Sequence, residues 1–328
     1  MPFATFFLPE PPHGITRIPK DLRRHAGGVE EEVDSNILLD VRGSWERREI
    51  ALELLASSGG RAVRFGFSAT ISEDPEESGA RLREVLGVEL EEQVRWRDGR
   101  IGFNRLRAAA EGAGVLVLQT SDIELSALRA YSLAADELPV VVVNRKDAYA
   151  ARSFSLLHEL AHIGLKSEGI CDLSTDSSMP PEEQQLEVFC NAVAAAALIP
   201  RDALLRLPDV RRHDGQTWDD AAIASLAKTF SCSREAILRR LLTFGLTTER
   251  FYQQKRSQWQ LEYESRPAPG GFVPPPIDAV SLLGRPLVRL VLDGLSNDRI
   301  TTSDAADYLG VRSKHLPAIA DAVGANDS

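Results

Sequence analysis

The chain has 328 residues and a mass of 36.0 kDa, with 43% hydrophobic and 26% charged residues. Those fractions match globular averages, so wholesale disorder is excluded, and the length predicts about two domains. Its 38 basic and 48 acidic residues leave a net charge of −10, which excludes a protein that coats nucleic acid or anionic membrane non-specifically.

Met1 to Leu8 is apolar, but no basic segment precedes it and no small-residue cleavage site follows, so no signal peptide is expected. The longest apolar run, Ala192 to Ile199, falls far short of the about 20 residues that span a bilayer. No membrane partner is expected. The odd set of cysteines, Cys171, Cys190 and Cys232, cannot form a disulfide framework and fits a reducing, cytoplasmic location.

Residues 1–40 read as a flexible arm punctuated by Pro9, Pro11 and Pro12, with an acidic run at Glu30 to Glu32. A helical N-terminal region follows over 41–114, with helices expected at 45–58, 76–87 and 101–112. The pattern then changes. Val115 to Leu118, Ala130 to Leu133 and Pro139 to Val143 predict three strands, because β-branched runs between polar breaks favour extended pairing. Helices resume at 150–165 and 182–199, the second bracketed by Pro180-Pro181 and Pro200, with a polar loop at 166–181 between them. Together 115–200 form one expected structural core.

Beyond it, 201–266 reads as a helical module with a helix-turn-helix cadence at Ile223 to Leu242. Its small basic excess does not establish DNA contact, and packing or substrate docking is the expected role. A Pro/Gly linker at 267–276 leads to a C-terminal helical module, 277–328, with a second such cadence and a slightly acidic balance that favours protein contacts over DNA.

The sharpest signal is His158-Glu159-Leu160-Ala161-His162. Two histidines four apart on a helix differ by about 40° around its axis, so both imidazoles reach one metal ion from the same face. A catalytic zinc takes three protein ligands and keeps one open position. Glu187, 25 residues after His162 on the next helix, is the best third ligand, and Asn191 one turn on is placed to orient a ligand imidazole. The alanine-rich run after it lets two helices approach closely. This is the layout of glutamate-type zincins, and the expected fold class is α+β: mainly helical, with a small zincin-like, gluzincin-type three-stranded sheet and an HExxH helix.

Asn144 after the valine strand, Phe154 to His162, and Glu187-Val-Phe-Cys-Asn191 running to Pro200 together resemble the ImmA/IrrE family of zinc metallopeptidases. The resemblance spans about residues 140–200. It implies Zn2+ held by His158, His162 and Glu187, with Glu159 as catalytic base. It also implies a site-specific endopeptidase that cleaves a helix-turn-helix transcriptional repressor, derepressing stress, DNA-damage or mobile-element genes. The flanks resemble a longer subgroup often joined to an N-terminal DNA-binding helix-turn-helix, which is not evident in 1–40, so direct DNA binding stays open.

An oxyanion donor is also needed. Tyr131, Arg129 and Tyr149 are candidates, each also readable as structural, and strand 139–144 could align an extended substrate by edge addition. Cys190 is expected as a small buried apolar residue and Cys171 as a packed loop residue. The competing reading is a non-catalytic regulatory protein that acts through its helix-turn-helix-like modules; an intact Glu159 argues against it, because a zinc scaffold needs no non-ligand carboxylate.

Overall fold

The computed structural model describes residues 35–166, 170–171, 181–264 and 273–324. Residues 1–34 of the expected 1–40 arm and most of the 166–181 loop and 267–276 linker lie outside them, and residues 35–40 of that arm are helical instead. The fold is α+β: a small mixed sheet between two helical layers, with its three longer strands buried on both faces.

The sheet has four strands in the order β1-β3-β2-β4: β1 (Leu116–Thr120), β2 (Ala130–Leu133), β3 (Val140–Asn144) and β4 (Ile170–Cys171). β3 pairs in parallel with β1, Val117 opposite Val141, and antiparallel with β2, Tyr131 opposite Val142. Two expectations change here. A fourth, two-residue strand lies inside the segment read as loop, too short to show any period. β3 is interior, flanked by β1 and β2, so 139–144 cannot take a substrate by edge addition; β1 and β4 are the edges.

Double-sided burial explains why β3 is an unbroken valine run rather than an alternating one. Val141 and Val143, with Val117 and Ala130, face one core. Val140 and Val142, with Leu116, Leu118, Tyr131 and Leu133, face the other.

The front layer holds α2 (Pro75–Leu86), α3 (Leu90–Trp96), α4 (Gly99–Gly112), α5 (Tyr149–Gly164), α6 (Pro181–Leu198), α7 (Arg201–Arg206), α8 (Pro208–Arg211), α9 (Asp220–Phe230), α10 (Arg234–Thr243) and α11 (Glu249–Glu264). Local chemistry sets the boundaries. Asp74 caps α2 by accepting from the Glu76 N–H, Pro75 occupies its first turn, and Gly87 ends it at φ 62°. Asp98, Asp219 and Ser233 cap α4, α9 and α10 in the same way. The short α3 was not anticipated.

The back layer is α1 (Ser35–Ser57) with α12 (Pro275–Leu283), α13 (Arg285–Ser296), α14 (Thr302–Tyr308) and α15 (Leu316–Gly324). α1 therefore begins ten residues before the expected 45. α9 and α10 are two helices joined by a short turn, with Ser231 left-handed there, over the stretch read as having a helix-turn-helix cadence. The outward side of α10 is engaged by α11: Arg234 pairs with Glu262 at 2.7 Å and lies over the Trp259 ring, Arg239 lies over Tyr252, and Glu235 pairs with Arg256.

Candidate metal centre

α5 carries the His-Glu-His motif into the space between the sheet and α6. The helix packs on β2 and β3 through Leu156, Leu157 and Leu160, and His158, Glu159 and His162 are fully buried. α6 lies against it because its facing residues are small: Ala194 and Ala197 are buried in the shared core, with Val193 beside them. Glu187, 7% exposed, projects from the first half of α6 toward both imidazoles.

His158 Nε2 lies 2.9 Å from His162 Nε2 and 3.3 Å from Glu187 Oε2, and His162 Nε2 lies 3.1 Å from Glu187 Oε1. A tetrahedral zinc with bonds of about 2.0–2.1 Å separates its ligand atoms by about 3.3 Å, close to this triangle. Two imidazole nitrogens and one carboxylate oxygen are also the donor chemistry that zinc takes at catalytic sites. Among the described residues these three form the one cluster of three or more His, Cys, Asp or Glu able to hold a metal.

Protonation favours coordination. Burial pushes the His162 imidazole below its ordinary value, against the hydrogen bond it donates to Glu187, so the neutral form prevails near neutral pH. For Glu187 burial acts upward, but hydrogen bonds from His158 and His162 outweigh it and bring the carboxyl down to about 2, so it is ionised. The Cys190 thiol is buried and pushed well above its usual range by that burial and by the nearby Glu187 and Glu159 charges. It is a small packed residue, and so is Cys232. The side chain of Cys171 lies outside the described residues.

The supporting candidates fare differently. Tyr131 is on the wrong face of the sheet: its hydroxyl donates to Asp40 Oδ2 at 2.7 Å and shares a 2.9 Å hydrogen bond with Ser44 Oγ, both on α1. Strand alternation sends it away from α5 while Ala130 faces it. Arg129 is held by the buried Asp147 carboxylate at 2.7 Å. Tyr149 opens α5, nine residues or about 13 Å from His158 along the axis, stacked on Arg152. Toward His158 the bond expected from Asn191 is not formed: Asn191 Oδ1 and His158 Nδ1 are both buried without a hydrogen-bond partner. Asn144, quoted above only for its place in the pattern, staples the β1–β2 connection by donating to Ile123 O and Leu128 O.

Residues 110–242 match the model of the peptidase family described as an IrrE N-terminal-like domain (Peptidase M78). Among solved structures, a Mycobacterium tuberculosis transcriptional regulator is 17% identical, aligned over 60% of this chain and 51% of its own, with a TM-score of 0.36. The chain thus spans about half the length of that structure. No curated protein matches the chain. No helix among the described residues is long and apolar enough to cross a membrane.

Proposed function

We propose that a chain whose residues 110–242 match an IrrE-type peptidase domain is a zinc-dependent, site-specific endopeptidase acting on a helix-turn-helix transcriptional repressor. The observation that carries the chemistry is the buried triangle of His158, His162 and Glu187 with Glu159 beside it on α5. A bound zinc supplies Lewis acidity, bringing the pKa of a water toward about 7 and polarising the scissile carbonyl. His158 and His162 would offer it their Nε2 atoms, and Glu187 would add the one negative charge of the set. Glu159 is the general base: its carboxylate accepts the proton of the attacking water and delivers it to the departing amine nitrogen. The closed walls of α5 and α6 exclude bulk water around these groups.

The repressor as substrate rests on the family match of residues 110–242. Incubation of the zinc-loaded full chain with repressors encoded nearby tests the proposal. One discrete cut, lost in Glu159→Gln, is expected. Broad digestion of casein at a comparable rate would make this a general degradative peptidase.

A further inference from the structure

We propose that Arg83, Gln93 and Arg240 form a clamp on the C-terminal end of α6 that fixes the helix along its axis and so positions Glu187 opposite the two histidines. The inference rests on the metal-site reading above and adds three positioning residues to it.

The last four carbonyls of an α-helix have no partner within the helix. At the end of α6 three successive ones are taken by side chains from three different helices. Ala197 O accepts from Arg83 Nη1 of α2 at 2.8 Å, and Leu198 O accepts from Gln93 Nε2 of α3 at 2.8 Å. Ile199 O accepts from Arg240 Nε and Nη2 of α10 at 3.0 and 2.8 Å. Gln93 is completely buried and Arg240 nearly so.

The donors are tied to one another and to the scaffold. Arg83 also donates to Gln93 Oε1 and Val88 O, Gln93 also donates to Phe230 O, and Arg240 makes a bidentate pair with Glu76 at 2.6 and 2.9 Å. Every hydrogen bond of Arg83 goes to an amide oxygen, although burial pulls its pKa down and disfavours the charge. The negative end of the α6 dipole offsets that cost, and two guanidinium groups meet it there. Close packing supplies the lateral constraint: a Cβ on Gly79 of α2 would come within 2.6 Å of Ala196 Cβ.

Leu198 is eleven residues from Glu187, about 16 Å along the axis, and an α-helix transmits an axial shift over that span without loss. Metal coordination tolerates displacements of only about 0.5 Å, so slack at the clamp appears as lost affinity at the ligand. Removal of groups that orient a ligand typically costs 10–100-fold in metal affinity.

The test measures zinc affinity by chelator competition, and apo-protein melting temperature, on the full chain. Gln93→Met and Arg240→Met remove the donors, and Arg83→Lys keeps the charge but not the forked geometry, so it serves if the first two do not fold. Val291→Ala is the control, a core truncation on the opposite side of the sheet. The clamp variants are expected to bind zinc at least about tenfold more weakly, while the control, melting earlier by a similar margin, keeps wild-type affinity. Clamp variants that bind like the control overturn the inference. Wild type and His162→Ala run alongside: a wild type without zinc affinity overturns the metal-site reading itself, whereas wild-type binding lost in His162→Ala but kept in the clamp variants overturns the clamp alone.

Discussion

Glu159 is one residue from a ligand yet is assigned a different task, and substitution separates the two. Glu159→Gln is expected to retain zinc and melting temperature but lose cleavage by at least about a hundredfold, the usual size of a general-base contribution, in a gel-based repressor assay. Tyr131→Phe is expected to do the reverse. It leaves the Asp40 and Ser44 oxygens without their partner inside the back core, costing about 1–3 kcal/mol in urea denaturation with zinc binding unchanged. The same pair predicts a pH effect. Burial raises the Asp40 pKa, so the folded state holds that proton more tightly than the unfolded chain does. Its contribution to stability is therefore greatest at low pH and falls as pH rises from about 4 through the raised value. Asp40→Asn is expected to abolish that component, so the stability difference between variant and wild type should grow in the variant's favour from pH 4 to 7. A constant difference would show that Asp40 titrates normally. The histidine pair was legible because its geometry is local to one helix. Which face of β2 meets α5 is not local, and a single alternating step put Tyr131 on the far side.

Elements were legible where caps announce them. Pro181 and Pro200 bracket α6, and Asp74-Pro75 and Gly87 bracket α2. Those without such signals were not: α3 is two turns long, β4 is two residues, and α1 begins with Ser35-Asn36-Ile37, ahead of the apolar cluster that marked it. The close approach of α2 to α6 was also hidden, since Gly79 is an unremarked glycine in a helix until Ala196 is seen against it. Gly79→Ala is expected to wedge the two helices apart, lowering stability by about 1–3 kcal/mol in urea denaturation. Zinc affinity should weaken with it. A neutral or stabilising outcome, as alanine gives in an open helix, would mean that the approach is not tight.

At the scale of the molecule, the sheet joins segments far apart in the chain. α12–α15 and α1 cover one face while α2–α11 cover the other, and Arg107 of α4 and Gln119 of β1 donate to Ser281 O at 2.6 and 2.7 Å, tying the C-terminal helices to the front layer and the sheet. No periodicity within 277–328 could reveal that its apolar stripe answers Leu116, Leu118, Val140 and Val142 across the sheet. Removal of 277–328 is accordingly expected to expose that face and yield an aggregated or unfolded chain by circular dichroism and sedimentation. A folded, zinc-binding truncation would contradict the shared core. The central claim, that α5 and α6 together make a catalytic zinc site, is tested most directly by metal analysis of the full chain purified in the presence of zinc. One zinc per chain is expected in wild type and none retained by the His158→Ala/His162→Ala variant; stoichiometric zinc in that double variant, or none in wild type, would rule out such a site.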